Sequence, residues 1–213
     1  MVSTLNKLIL WMLRFLFSKT LIASILVFVW AGATAYAFWW FEFKNLRPFD
    51  TRANGQVVEI SVGPLEQSLL KLTQADTQAI RVIHFWNPEC YCNRFNQQHL
   101  QQIQQQYANQ GVSFYLALVG DTQKYQSLIE KKYKNIPILK IDSFAGLIPS
   151  TPSAAILKAG HGLTYFGPYS EGAMCSAQSG SFVEKILDAS LNGNPAVQIN
   201  SLAFGCYCDL QPI

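Results

Sequence analysis

Ile83-His84-Phe85-Trp86-Asn87-Pro88-Glu89-Cys90-Tyr91-Cys92 is the stretch that decides the fold of this chain. A β-branched, aromatic run ends at Trp86, breaks at Pro88, and delivers Cys90 just ahead of a long helical pattern. A thiol at a helix start is an activated thiol, because the unpaired amides and partial positive charge of the helix N-terminus favour the thiolate. Glu89 works against this, since a carboxylate beside a thiolate raises its pKa.

Working outward, Ile80–Trp86 is apolar on both faces apart from its ends and His84, which predicts a central strand covered on both sides. His84 then reads as a core histidine. Upstream, Val57–Val62 reads as a strand and Pro64–Leu72 as a short helix with proline in its first turn. Downstream, a helix is expected from Cys90 to Asn109, with Phe95, Leu100, Ile103 and Tyr107 near helical spacing. The glutamines crowding Gln97 to Gln110 form its solvated face. Val112–Val119 is the next strand; Asp121 caps a helix reaching Lys134, and Ile136–Ile141 is a short strand. Ser153–Lys158 and Leu163–Phe166 make a hairpin around Gly160-His161-Gly162, and Ser181–Leu191 is a last helix stopped at Asn192-Gly193-Asn194-Pro195. The order predicts an α/β chain, a three-layer α/β/α sandwich with a mixed sheet. His161, in the hairpin turn, falls at the end of the sheet opposite Cys90. The one internal repetition is Cys-Tyr-Cys, at 90–92 and again at 206–208.

Phe85-Trp86-Asn87-Pro88-Glu89-Cys90 resembles the strand-to-helix active-site segment of the thioredoxin-like superfamily, in particular its membrane-anchored, exported thiol–disulfide oxidoreductases. Ser150-Thr151-Pro152-Ser153-Ala154-Ala155-Ile156-Leu157 is similar to that family's cis-proline loop and the hairpin strand after it. The resemblance runs over roughly Val57 to Leu191 in element order and is specific only at these two segments. It implies that Pro152 is cis and packs against the Cys90 sulfur, with Pro149 as the alternative position. It also implies that the backbone of Thr151 pairs with an extended substrate, so that Cys90, Cys92, Pro152 and Thr151 are the expected catalytic positions.

The chain departs from the family where the chemistry lies. The family spaces two cysteines three positions apart, whereas Asn93 stands at the second position and Cys92 comes one residue early. Two residues apart on a helix point about 200° away from each other. Either the helix starts later and Cys90–Cys92 close a strained small ring, or a more distant thiol resolves Cys90. Cys175, in the loop after the hairpin, and Cys206 and Cys208, on a tail that at about 3.3 Å per residue can fold back over the domain, are the possible resolving thiols.

Leu21 to Phe41 carries no charge and, as a helix, measures about 31 Å, the thickness of a bilayer core. Trp39, Trp40 and Phe41 close it like an interfacial aromatic girdle. Lys7, Arg14 and Lys19 precede it without an acidic residue, which predicts a cytoplasmic N-terminus and an extracytoplasmic, periplasmic C-terminal domain on a bacterial-type inner membrane. Ala35-Tyr36-Ala37 resembles a cleavage site, so a signal peptide is the competing reading; the apolar run is longer than a usual signal core and favours a single-pass anchor. The expected divisions are a basic, interfacial segment at 1–20, a transmembrane helix at 21–43, a linker at 44–56, the thioredoxin-like domain at 57–193 and a tail at 194–213.

From Lys44 onward there are 13 Lys+Arg against 12 Asp+Glu, a balance that gives no case for nucleic acid. All five cysteines lie in this part, and an exported cysteine is paired, metal-bound or redox-active. Three functions follow. The first is thiol–disulfide exchange on exported protein thiols and disulfides, with Cys90 as nucleophile. The second is thiolate metal handling, for copper or zinc, by the two Cys-Tyr-Cys pairs. The third is a non-catalytic binding module with structural disulfides. No cofactor is expected; nor is a resident metal, because no histidine is well placed and the resemblance puts a proline beside Cys90.

Overall fold

The computed structural model describes Lys7, Trp11, Met12 and residues 19–43, 46–51, 62–74, 76, 79–118, 122–133, 136–141, 145–172, 181–195 and 197–210. The chain divides into two units, Met1–Lys44 and Asn45–Ile213. The first holds α1 (Lys19–Phe43). Its stretch Lys19–Phe41 is long and apolar enough to cross a membrane, the one such helix among the described residues.

In the second unit β2 (Ile80–Trp86) is buried along its whole length, as its two-sided apolar character requires. It pairs in parallel with β3 (Val112–Leu118), which pairs in parallel with β4 (Ile138–Lys140). On its other edge β2 runs antiparallel to β6 (Ser153–Lys158), the first arm of the expected hairpin, whose second arm is β7 (Gly162–Gly167). Gly160 and Gly162 turn that hairpin at φ of 76° and 75°, a region closed to most side chains. β8 (Gln198–Ile199) joins β7 in parallel, so the order is β4-β3-β2-β6-β7-β8.

Alternate residues of β2 feed two cores. Ile83 and Phe85 join Ala155, Leu157 and, from α2 (Val62–Leu72), Leu65 and Leu69. Val82 and Trp86 join Leu100, Ile103 and Tyr107 of α3 (Asn93–Tyr107), Ile129 of α4 (Thr122–Lys132), and Val183, Ile186 and Leu187 of α5 (Phe182–Leu191). Helices thus cover both faces of a mixed sheet, the expected thioredoxin-like three-layer sandwich. Ser181 caps α5 by accepting from the Glu184 amide at 3.2 Å.

Three expectations change, and two others fall wholly or largely outside the described residues. Residues 57–61 of the expected first strand lie outside the described residues, and Val62 opens α2 instead. The Asp121 cap also lies outside them. The helix expected from Cys90 starts at Asn93 instead, because the chain first winds through a turn held by Asn87. Within the expected linker, residues 46–51 are built into the domain: β1 (Leu46–Pro48) pairs with β9 (Phe204–Cys206), and Phe49 is fully buried. A strand whose partner lies some 160 positions away leaves no local pattern to read. Residues 197–210 of the expected tail are likewise built into the domain, through β8, β9 and β10 (Cys208–Asp209).

Candidate functional site

At the C-terminal end of β2 the chain turns sharply. Asn87 Oδ1 accepts from the Glu89 amide at 3.0 Å, and Asn87 O accepts from the Cys90 amide at 3.0 Å and from Asn93 Nδ2. Asparagine supplies this geometry because its short side chain reaches its own backbone two residues on. The Asn93, Arg94 and Phe95 amides then bond to the Cys90, Tyr91 and Cys92 carbonyls. Cys92 is the N-cap residue of α3, and Cys90 sits in the turn before it. Glu89 points away, its carboxylate bonded to Tyr125 Oη at 2.8 Å and Lys124 Nζ at 3.3 Å. Tyr125 first, then Lys124, holds Glu89 below the usual carboxylate range.

The peptide bond Thr151–Pro152 is cis. The Thr151 carbonyl oxygen lies 3.6 Å from Cys90 Sγ, so the loop faces the sulfur. β5 (Ser150–Thr151) leads into this bond, and Ser153 Oγ donates to Ser150 O at 2.8 Å, holding the loop closed. Pro149, the alternative position, is instead used by the tail: its carbonyl accepts from the Leu210 amide at 3.3 Å.

The tail meets this loop directly. β10 runs antiparallel to β5, with Cys208 opposite Thr151 and Asp209 opposite Ser150. Cys90 is bonded to Cys208 and Cys92 to Cys206, with Cα separations of 5.8 and 5.6 Å. The two Cys-Tyr-Cys segments therefore lie side by side in opposite directions, and no Cys90–Cys92 ring forms. The Cys90, Cys92 and Cys208 sulfurs lie within 4.8 Å of one another. That spacing would suit a soft ion, but sulfurs joined in disulfides are not thiolates and offer it no ligand. Cys90, Cys92 and Cys206 are buried, while Cys208 is half-buried. Cys175 lies outside the described residues.

Several residues that fix the tail carry no signature in the sequence. Arg47 on β1 grips the Asp209 carboxylate with both terminal nitrogens, Nη1 at 2.7 Å from Oδ2, and also reaches Ser150 Oγ at 3.1 Å. This pairing is the main cause holding Asp209 below its ordinary pKa. Tyr207 is buried, donates to Ser170 O at 2.9 Å, and packs edge-on against Phe49 at 5.4 Å. A Cβ on Gly205 would sit 2.7 Å from the Tyr207 hydroxyl and 3.0 Å from Gly172 O, so the tail passes here only without a side chain.

Neither histidine of the sequence reading enters the site. His84 is buried among Tyr133 and Tyr169, and burial pushes its pKa down to about 3, so it is a neutral core residue. His161 is exposed in the hairpin turn, remote in the topology from Cys90.

Residues 62–210 match a family model described as Domain of unknown function (DUF6436). The chain belongs to that family. An uncharacterized conserved protein from Geobacillus kaustophilus is similar over 63% of this chain and 77% of its own, at 22% identity and a TM-score of 0.50. A hypothetical protein from Sinorhizobium meliloti 1021 is similar over 62% and 79%, at 17% identity and a TM-score of 0.49. Thiol–disulfide oxidoreductases are also among the similar structures. One is a secreted Mycobacterium tuberculosis disulfide oxidoreductase, matched over 38% of this chain and 63% of its own, at 24% identity and a TM-score of 0.32. No curated protein matches. The chain combines the mixed, helix-covered sheet with two disulfides that join the strand-to-helix turn to a tail paired with the cis-proline loop.

Proposed function

We propose that this protein carries out thiol–disulfide exchange on exported proteins, with Cys90 as the nucleophile and Cys208 as the resolving thiol. The observation that carries the reading is the Cys90–Cys208 bond itself, seated against the Thr151 carbonyl with its second half on a strand paired to β5. In the reduced protein the Cys90 thiolate attacks one sulfur of a substrate disulfide. That bond breaks, a mixed disulfide forms at Cys90, and the other substrate sulfur leaves as a thiolate. Cys208 then attacks Cys90 Sγ, restoring Cys90–Cys208 and releasing the second substrate thiolate. Protons from the two protein thiols end on the two substrate sulfurs, and an external dithiol returns the protein to its reduced form. The same steps in reverse oxidise a substrate. Cys92–Cys206, with both halves buried, holds the tail in place and is reduced later. The apolar helix Lys19–Phe41 anchors the domain at the membrane, with Lys7, Arg14 and Lys19 on the cytoplasmic side.

The test is a reductant titration with alkylation and intact mass, followed by exchange assays on variants. Two thiols, at Cys90 and Cys208, are expected to appear before any others. Cys90→Ser should abolish exchange, and Cys208→Ser should trap the mixed disulfide. Disulfides that resist reduction until the domain unfolds would instead assign both bonds as staples.

A further inference from the structure

The tail that closes the site also describes what the site takes. Resting on the exchange reading above, we infer that residues 208–210 are a resident copy of the substrate. The groove they fill receives an extended peptide whose cysteine is followed by an acidic and then an apolar residue, and Arg47 reads the acid.

Three observations carry this. First, among the described residues β5 has β10 as its ladder partner and no other, so the main-chain groups of Pro149 to Thr151 engage an extended segment wherever the tail is displaced. Second, each tail side chain has a built partner. Cys208 is bonded to Cys90, Asp209 is held by the Arg47 fork, and Leu210 is buried in the core cluster that includes Ile148 and Phe49. The antiparallel direction of β10 fixes the order, so the residue after the cysteine meets Arg47. Third, the tail is hinged for release. Up to Tyr207 it is held by the Cys92–Cys206 bond, the β1–β9 ladder and the Tyr207–Ser170 bond, none of which involves Cys208. Once Cys90–Cys208 is reduced, Cys208 onward can leave the groove while remaining tethered one residue away. The Cys90–Cys208 bond is then the geometric counterpart of the mixed disulfide. The returning tail competes for the same backbone atoms and ejects the product.

The experiment uses the full chain in detergent, reduced at Cys90–Cys208. Its probes are the peptide copying residues 207–210, the same peptide with lysine in place of the aspartate, and the same peptide with aspartate in place of the leucine. Each is supplied as its mixed disulfide with thionitrobenzoate, whose release is followed in single turnover. The native-sequence peptide is expected to react about tenfold faster than the lysine peptide, the scale of reversing one charge against a bidentate partner. Replacing the leucine should slow it several-fold. Arg47→Glu should invert the ranking of the aspartate and lysine peptides. As a second variant, Asp209→Lys should weaken the tail as competitor and lengthen the life of the mixed disulfide. Equal rates for all three peptides, with exchange still running through Cys90, would overturn the groove and leave the exchange reading standing. Failure of Cys90 to react with any of them would overturn both.

Discussion

Removing the two disulfides singly and together should give losses of stability that are far from additive. Cys90–Cys208 and Cys92–Cys206 join positions 118 and 114 residues apart. A bond closing a loop of that length in the unfolded chain is worth about 5 kcal/mol in the chain-entropy model. Here both bonds close the same long loop. With one in place, the other closes only a ring made of residues 90–92 and 206–208, worth about 2 kcal/mol by the same relation. Cys90→Ser with Cys208→Ser should therefore cost about 2 kcal/mol, and Cys92→Ser with Cys206→Ser a similar amount. All four substitutions together should cost about 7 kcal/mol, leaving roughly 3 kcal/mol of coupling. Serine in a buried site adds its own penalty, but that enters the single and combined variants alike and drops out of the coupling. Urea unfolding of the full chain in detergent, followed by near-ultraviolet circular dichroism, measures all four corners of the cycle. Additive losses would mean that the two bonds do not share a loop, and local Cys90–Cys92 and Cys206–Cys208 rings would make either pair of substitutions as costly as all four together; with either result the pairing that supports the exchange reading would fall.

Two further outcomes follow from single residues. Gly205→Ala should destabilise the tail by about 1–3 kcal/mol, because the new Cβ meets the Tyr207 hydroxyl and the Gly172 carbonyl, the latter backbone that cannot swing aside; an unchanged urea midpoint would show that β9 does not run where it is placed. His84, whose pKa burial depresses to about 3, is kept neutral by the folded state but is free to protonate in the unfolded one. Its folded pKa lies below its unfolded value, so stability is full above pH about 6.5 and falls as the pH drops from there toward 3. His84→Gln should flatten that acid slope, measured as the urea midpoint between pH 7 and pH 4, and an unaltered slope would reject His84 as its source.

What the sequence disclosed and what it concealed divide along the length of chain over which each feature is encoded. β2, α3, the hairpin and α5 each carry their pattern within a short continuous stretch: a run apolar on both faces, a stripe at 3.6 spacing, a glycine turn, a serine cap. The Asn87 turn displaced the helix start by three residues, because an asparagine bonding to its own backbone looks the same in sequence as one that caps a helix. β1, β5, β9 and β10 are only two or three residues long and pair over large separations, so neither periodicity nor propensity marks them. Arg47 and Asp209 stand 162 positions apart. In the sequence they are two ordinary charges.

The departure from the thioredoxin-like motif that this chain resembles is explained by the pairing of the two Cys-Tyr-Cys segments. A spacing of three suits two cysteines that meet each other across the first turn of a helix, and a spacing of two does not. A spacing of two is instead the period of a strand, where alternate residues share a face. Along the tail Cys206 and Cys208 turn toward the segment 90–92, while Tyr207 between them turns the other way, to Ser170 and Phe49. The tail's Cys-Tyr-Cys is thus spaced to present both sulfurs to the turn at 90–92 rather than to close on itself. Cys92 comes one position early because its sulfur must reach Cys206, not Cys90. On the exchange reading proposed above, the second cysteine of the usual motif has not been lost from this chain: its resolving role falls to Cys208, on a strand paired to the loop of the cis-proline.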